Sequence, residues 1–145
     1  MIKERTKDMN EAVIQLDHVY AHPPAAVWKA LTDPDLHARW WAAGDVRAVV
    51  GHQFELDMGR WGKQRCEVLE VEPERLLRYR FAAGVLDTII TWKLSPEGGG
   101  TRLTLTQAGF DLESPMGRQA FDGMKPGWPK LLAHLEIVLP ERGFS

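Results

Sequence analysis

The sequence feature that most restricts the fold of this chain lies near its C-terminus, where apolar residues recur with the period of an α-helix. The intervals between them are 4, 3 and 4 positions, which places them on one face of the helix. A helix with so wide an apolar face is stable only when another apolar surface covers that face. The rest of the chain must therefore supply this surface and bury these side chains. The face consists of Trp128, Leu132, Leu135 and Leu139, with Leu131 and Val138 widening it.

Two prolines indicate where this helix begins. Pro126 and Pro129 lack the N–H that a helix interior uses, whereas the N–H groups of a first turn have no helical partner. The sequence therefore predicts a last helix that begins near Lys125 and ends at Pro140. A separate short helical stretch is expected over residues 114–124, where a Ser-Pro pair provides the start signal.

Alternation of apolar and polar residues predicts the surface that receives the helix. A first strand is expected over residues 13–20, followed by two short helices over 25–31 and 34–41. The next part of the chain predicts strands joined by tight turns, with residues 95–100 (SPEGGG) as a loop. Such a meander of hairpins implies an antiparallel sheet. Its strands are expected at 46–50, 52–58, 63–71, 75–81, 87–94 and 101–107.

Charge and composition exclude several classes of protein. The net charge is −2, the pI is about 6.2 and no run of Lys and Arg is present, so we expect no binding to nucleic acid. Cys66 is the single cysteine and cannot form an internal disulfide, which is typical of a cytoplasmic protein. The N-terminus is too polar for a signal peptide, and no apolar run approaches the roughly 18 residues that span a membrane. We expect a flexible segment at 1–11, one domain over 12–140 and a tail at 141–145.

The polar residues show no pattern of a metal site or of covalent catalysis. The five histidines are scattered, and no two lie four apart on a predicted helix beside a carboxylate, as zinc ligands often do. No Gly-x-Ser-x-Gly motif marks a nucleophile. The glycines at 98–100 lie in a predicted hairpin rather than between a strand and a helix, so they are not a phosphate-binding loop. We therefore expect neither a metal nor a cofactor.

The aromatic residues are numerous, with six Trp, five Phe and two Tyr, and they either fill the core or line a cavity. Gln107 shares the inward face of its strand with Leu103 and Leu105, so its amide is either satisfied by neighbouring backbone or reaches a ligand. His18 raises a similar question, because it faces either inward or toward solvent. Trp41 either packs the second helix on the sheet or closes the mouth of the cavity. The residues expected to line a cavity are His18, Trp41, Phe54, Tyr79, Trp92, Gln107 and Trp128.

Three separated segments resemble one known family. They are residues 24–41 (PAAVWKALTDPDLHARWW), 95–110 (SPEGGGTRLTLTQAGF) and 123–135 (GMKPGWPKLLAHL). In this order they are similar to the activator of heat-shock-protein-90 ATPase homologue family, and the resemblance covers about residues 11–140. That family belongs to the START-like, or SRPBCC, superfamily, which shares the fold of the birch-pollen allergen. The resemblance implies an α+β helix-grip fold: a curved antiparallel sheet wrapped on a long C-terminal helix, in the order β, α, α, about six β, α.

The resemblance leaves three functions open. The leading hypothesis is non-enzymatic binding of a small, largely apolar molecule in the cavity between the sheet and the last helix. The second is a cavity enzyme of cyclase or hydrolase type, which needs an inward titratable group such as His18. The third is a co-chaperone-like module that binds a protein partner, as a regulator of an Hsp90-type ATPase would. That module, or a homodimer, needs an exposed apolar patch outside the cavity.

Overall fold

A computed structural model describes residues 12–139. The flexible segment predicted at 1–11 and the tail predicted at 141–145 lie outside the described residues. The strands are β1 (Ile14–Tyr20), β2 (Gln53–Asp57), β3 (Lys63–Glu72), β4 (Leu76–Phe81), β5 (Thr88–Glu97) and β6 (Gly100–Ala108). The helices are α1 (Pro24–Thr32), α2 (Pro34–Trp40) and α3 (Pro115–Leu135), with 3-10 turns at Gly59–Trp61 and Glu136–Val138.

The six strands form one antiparallel sheet in the order β1-β6-β5-β4-β3-β2. Four of the five neighbouring pairs are consecutive in sequence, as in the predicted meander. The exception is β1, which pairs with the last strand, β6, although α1, α2 and the strands β2 to β5 lie between them in sequence. The predicted fold class, an α+β helix-grip fold with a long C-terminal helix, is confirmed.

The inner face of the sheet receives α3, as the apolar period of that helix predicts. Trp128, Leu132, Leu135 and Leu139 are 1%, 1%, 0% and 7% exposed, so the prediction that all four are buried is confirmed. The phenol of Tyr20 in β1 also donates a 2.6 Å hydrogen bond to the carbonyl of Leu132. The last turns of α3 are thus held by both apolar contact and a hydrogen bond.

The prediction of two separate C-terminal helices is wrong. A single helix of 21 residues begins directly after Ser114, which caps it: the Ser114 hydroxyl accepts a hydrogen bond from Gly117 N. Pro126 and Pro129 lie in the interior of this helix. Each proline removes the N–H that would bond the carbonyl four residues earlier, at Asp122 and Lys125. Both of these residues are exposed, so water can satisfy their carbonyls. The apolar face of α3 therefore continues past the prolines.

The sheet also corrects two predicted segments. Residues 46–50 do not form a strand: Val46 is buried, but Val49 and Val50 are 59% and 61% exposed, so no apolar face is present to pack. The predicted loop at 95–100 is shorter than expected, because β5 continues to Glu97 and β6 begins at Gly100. Pro96 fits in β5 because the pairing with β4 extends only as far as Lys93, opposite Leu76. On that side of β5, Pro96 has no β4 residue opposite it and needs no N–H.

Candidate functional site

Helix α2 places two adjacent tryptophans at the inner side of the sheet. Asp33 caps the helix, since its Oδ1 accepts hydrogen bonds of 2.8 Å from Asp35 N and 3.3 Å from Leu36 N. The helix is seven residues long and ends at Trp40, which is buried. Trp41 follows as the C-terminal cap. Trp41 is partly exposed and packs against the core.

Four tryptophans and one phenylalanine meet between the sheet and α3. Trp92 of β5 lies edge-on to both Trp40 and Trp128, with ring centroids 5.9 and 5.6 Å apart. Trp41 lies 4.9 Å from Trp128 and 5.9 Å from Phe81. These separations are those of rings in direct contact. The five residues, called the aromatic cluster below, are Trp40, Trp41, Phe81, Trp92 and Trp128.

Each fully buried tryptophan of the aromatic cluster donates one hydrogen bond. The indole N–H of Trp40 bonds the carbonyl of Ala30 at 2.8 Å. That of Trp92 bonds the Tyr79 hydroxyl oxygen at 3.0 Å, and that of Trp128 bonds Gln107 Oε1 at 2.8 Å. Trp41 differs, because its N–H has no hydrogen-bond partner within residues 12–139. The Trp41 ring is therefore held by packing alone.

Gln107 is fully buried, as its inward parity predicts, and its amide is satisfied inside the protein. Its nitrogen donates to Thr88 Oγ1 at 3.0 Å and approaches Met124 Sδ at 3.6 Å, while its oxygen accepts from Trp128. The partners are side chains, whereas the sequence analysis left open either neighbouring backbone groups or a ligand. Gln107 thus positions Trp128 and does not need a ligand to complete its hydrogen bonds.

Tyr79 and Phe54 adjoin the aromatic cluster on the β2 side of the sheet. Tyr79 accepts the Trp92 hydrogen bond and lies edge-on to Phe54, with ring centroids 5.7 Å apart. Phe54 in turn stacks on His52. Burial raises the pKa of Tyr79 far above its usual value, so this phenol remains protonated. Ring contacts and hydrogen bonds therefore connect six of the residues that the sequence analysis expects to line a cavity: Trp41, Phe54, Tyr79, Trp92, Gln107 and Trp128.

His18 faces inward but lies apart from these residues. It shares the inner side of β1 with Tyr20, and the two ring centroids are 4.4 Å apart. Its Nε2 is 3.8 Å from Glu136 Oε1, beyond the end of α3, and its side chain is 33% exposed. The structure thus resolves the parity of His18 and places it at the rim near the C-terminal end of α3.

His37 is a polar residue of the site that the sequence analysis did not single out. It is 1% exposed, and its ring centroid lies 5.3 Å from Trp40 and 5.1 Å from Trp41. Its Nδ1 is 2.7 Å from the carbonyl of Ala42, which can only accept, so Nδ1 carries the proton and Nε2 is an acceptor. Burial lowers the pKa of His37 to about 4. Its position three residues before Trp40 on α2 is the signal that could have revealed it.

Comparison with known proteins decides the family. Residues 21–140 match the family described as Activator of Hsp90 ATPase homolog 1-like protein. The chain belongs to this family. The assignment confirms the resemblance of the three sequence segments and agrees with the START-like fold. A comparison with curated proteins found no match.

Solved structures similar to this family member include proteins from three bacteria. Protein MLL2253 from Mesorhizobium loti is 34% identical with a TM-score of 0.77, over 87% of this chain and 95% of that one. CalU16 from Micromonospora echinospora is 30% identical with a TM-score of 0.70, over 87% and 74%. Protein BH1534 from Bacillus halodurans is 23% identical with a TM-score of 0.75, over 88% and 96%, and shows the shared fold alone.

Where the sequence analysis expects a cavity, the rings of the aromatic cluster touch one another rather than standing on opposite sides of a gap. Within residues 12–139, cavities also lie at both edges of the sheet. One, of about 210 Å³, lies along β2 and β3 beside Phe54 and Cys66. The other, an open groove of about 690 Å³ between β1 and α3, is lined by Val13, Ile14, Gln15, Leu16, Lys125 and Pro129.

Three further features of residues 12–139 concern metal binding, membrane insertion and thiol chemistry. Within this range, no three His, Cys, Asp or Glu side chains are grouped so that they could hold a metal ion. None of the helices in the same range is long and apolar enough to cross a membrane. The thiol of Cys66 is buried, and this burial raises its pKa to about 12, so it is not a nucleophile at neutral pH.

Proposed function

We propose that this protein binds a small, largely apolar molecule between the sheet and α3 without converting it chemically. The proposed site is the aromatic cluster, with Tyr79 and Phe54 beyond it and Trp41 at its mouth. Membership of the family and the helix-grip fold support the proposal. The composition of the site supports it as well, because small-molecule sites combine apolar and aromatic walls with a few polar groups.

One observation carries the proposal: Trp41 is the ring of the aromatic cluster that is both partly exposed and without a hydrogen bond among the described residues. It follows the last residue of α2, and the chain beyond it has no helix or strand before β2. Its side chain can therefore turn outward without breaking the hydrogen bonds of a helix or of the sheet. The space that it leaves is bordered by Phe81 and Trp128, which are both apolar and buried.

The energy for binding would come from apolar burial. Apolar surface removed from water contributes about 25 cal/mol per Å² before the costs of association. A ligand that takes the place of the Trp41 indole must also replace the contacts of that ring with Phe81 and Trp128. A planar molecule at least as large as an indole meets this requirement, whereas a smaller one leaves part of the space empty.

The experiment that tests the proposal is a titration with an environment-sensitive apolar dye, followed by fluorescence and by the melting temperature. The dye should bind saturably and raise the melting temperature, because it binds the native state alone. Trp41→Ala should bind the dye more tightly, since the space is then already open. Trp61→Ala is the control, because Trp61 is 55% exposed in the turn between β2 and β3. Absence of saturable binding in both wild type and Trp41→Ala would contradict the proposal.

The cavity-enzyme hypothesis has less support. It requires a titratable side chain in contact with the bound molecule, and His18 was the residue predicted for that role. His18 contacts Tyr20 and Glu136 instead. His37 lies beside the aromatic cluster, but burial lowers its pKa to about 4, so its Nε2 carries no proton to donate near pH 7. The proposed assignment is therefore a binding protein rather than a cyclase or hydrolase.

A protein-binding function is the second candidate, and exposed apolar side chains favour it. Val49, Val50, Trp61 and Val85 are each more than half exposed. Exposed apolar residues that form a patch are typical of partner sites. The test is the ATPase rate of an Hsp90-type protein with and without this chain: a change in rate that Trp61→Ser abolishes would support the co-chaperone-like function.

We also infer that the protein resides in the cytoplasm. The inference rests on the single cysteine, Cys66, which is buried and has no second cysteine to pair with. Fractionation of cells that express the tagged protein would test it, and recovery outside the cytoplasm would contradict it.

A further inference from the structure

Two hydrogen-bonding nitrogens at the mouth of the site lack partners within residues 12–139. One is Nε2 of His37, an acceptor because Nδ1 donates to the carbonyl of Ala42. The other is the indole N–H of Trp41, a donor. The two rings are neighbours, with centroids 5.1 Å apart and planes inclined by 44°, yet they do not bond each other. Two neighbouring rings therefore offer one acceptor and one donor that have no partner within the described residues.

The other polar groups around the aromatic cluster are already engaged. The N–H groups of Trp40, Trp92 and Trp128 all have acceptors. The Gln107 amide has partners for both its oxygen and its nitrogen. Within the described range, neither His37 Nε2 nor Trp41 Nε1 is among the fully buried polar atoms that lack a partner. Each nitrogen thus keeps a small solvent-accessible area, although His37 as a whole is only 1% exposed.

A hydroxyl group matches this pair of nitrogens. Its O–H can donate to His37 Nε2, and its oxygen can accept from the Trp41 N–H. An ether or carbonyl oxygen could use only the Trp41 donor, and an ammonium group could use only the His37 acceptor. The low pKa of His37 keeps its imidazole neutral near pH 7, so the Nε2 lone pair is free to accept.

The backbone of Trp41 stays beside His37 when the indole ring turns outward. Its N–H donates a 2.9 Å hydrogen bond to the carbonyl of His37, and a rotation of the Trp41 side chain leaves this backbone bond in place. The polar end of a ligand would therefore sit at His37 and Trp41. Its apolar body would lie inward, against Phe81 and Trp128.

We propose that His37 and Trp41 recognise the hydroxyl group of an apolar ring compound, of the phenol or cyclic alcohol class. The inference rests on the proposed binding function and specifies its ligand. It makes His37 a specificity-determining residue through Nε2, which has no partner within residues 12–139.

Three naphthalene derivatives of similar size test the inference by titration calorimetry. They are 2-naphthol, which donates and accepts, 2-methoxynaphthalene, which only accepts, and 2-methylnaphthalene, which does neither. A net hydrogen bond contributes about 1 kcal/mol, so the wild type should bind 2-naphthol roughly fivefold more tightly than 2-methoxynaphthalene, which lacks the donor, and roughly thirtyfold more tightly than 2-methylnaphthalene, which lacks both donor and acceptor.

His37→Asn is the matched variant. The Asn amide nitrogen can keep the hydrogen bond to Ala42, while the Nε2 acceptor is lost. The preference for 2-naphthol over 2-methoxynaphthalene should then fall to nearly onefold, with the affinity for 2-methylnaphthalene unchanged. Trp61→Ala, remote on its hairpin turn, should keep the wild-type preference.

The outcomes separate this inference from the proposed function. If all three compounds bind the wild type equally, or if folded His37→Asn keeps the preference for 2-naphthol, the hydroxyl inference is wrong and the binding function stands. If none of the three binds, both are wrong. Should His37→Asn fail to fold, the ranking of the three compounds by the wild type still decides.

Discussion

The indole N–H of Trp128 donates a 2.8 Å hydrogen bond to the amide oxygen of Gln107, which joins α3 to β6 inside the protein. The amide nitrogen of Gln107 continues this connection to Thr88 of β5. A single polar side chain on an otherwise apolar strand face thus links the helix to two strands.

Replacing Gln107 with Leu should destabilise the protein. The substitution leaves the N–H of Trp128 buried without an acceptor, and an unpaired buried polar group costs about 1–3 kcal/mol. Denaturant unfolding measures the change in the free energy of unfolding. Gln53→Leu, at an exposed position of β2, is the control and should change it by less than about 0.5 kcal/mol. Equal stabilities of the two variants would show that the bond contributes nothing.

Truncating Leu135 should have a larger effect. Leu135 is 0% exposed on the face of α3 that packs on the sheet, and Leu→Ala in such a position costs about 2–5 kcal/mol. The thermal midpoint should fall accordingly in calorimetry. Ile137, only two residues later, is 69% exposed, so Ile137→Ala should leave the midpoint nearly unchanged. An unchanged midpoint in Leu135→Ala would refute the packing of this face.

Stability should decrease in mild acid because of His37. Its pKa is lowered from 6.5 to about 4 in the folded protein. Between these values the unfolded chain binds a proton that the folded one does not, so stability falls as the pH falls. The slope is about 1.4 kcal/mol per pH unit for one group, and the effect is absent above pH 6.5.

The pH dependence of His37→Asn provides the comparison. Urea unfolding between pH 7 and pH 4.5 should show a shallower loss of stability for this variant than for the wild type. Parallel curves for the two proteins would mean that His37 is not the group responsible.

Purified protein should carry no stoichiometric zinc, iron or copper. The expectation comes from the spacing of the histidines, none of which form a ligand pair on a helix. Elemental analysis of protein prepared without chelators measures the metal content directly. About one metal per chain, together with a melting temperature that EDTA lowers, would contradict the prediction.

Periodicity was sufficient to predict most of the fold. The stripe that contains Trp128 and Leu135 needs burial wherever the helix begins, so its packing follows from the sequence. The extent of α3 does not follow, because the cost of Pro126 and Pro129 depends on whether the carbonyls that they leave unpaired reach water. That depends on tertiary exposure, which a local pattern does not contain.

For the candidate site as well, the sequence predicts which residues are buried but not which hydrogen bonds they form. Inward parity predicts that Tyr79, Trp92 and Gln107 are buried, and they are. Parity does not predict which polar atoms find partners, because Gln107 is satisfied by Thr88 and Trp128, which lie 19 and 21 residues away. The sequence did not single out His37 because its role depends on a tertiary contact. Its Nδ1 donates to the carbonyl of Ala42, which leaves Nε2 as an acceptor.

The prolines of α3 also act on the chain before it folds. A proline restricts its own φ angle in the unfolded ensemble, so Pro126 and Pro129 reduce the conformational entropy that folding removes. Replacing either with Ala would restore a backbone donor to the helix while enlarging the unfolded ensemble, and the two effects oppose each other. The folded helix therefore lacks two internal hydrogen bonds, while the unfolded chain is already restricted in φ at two positions.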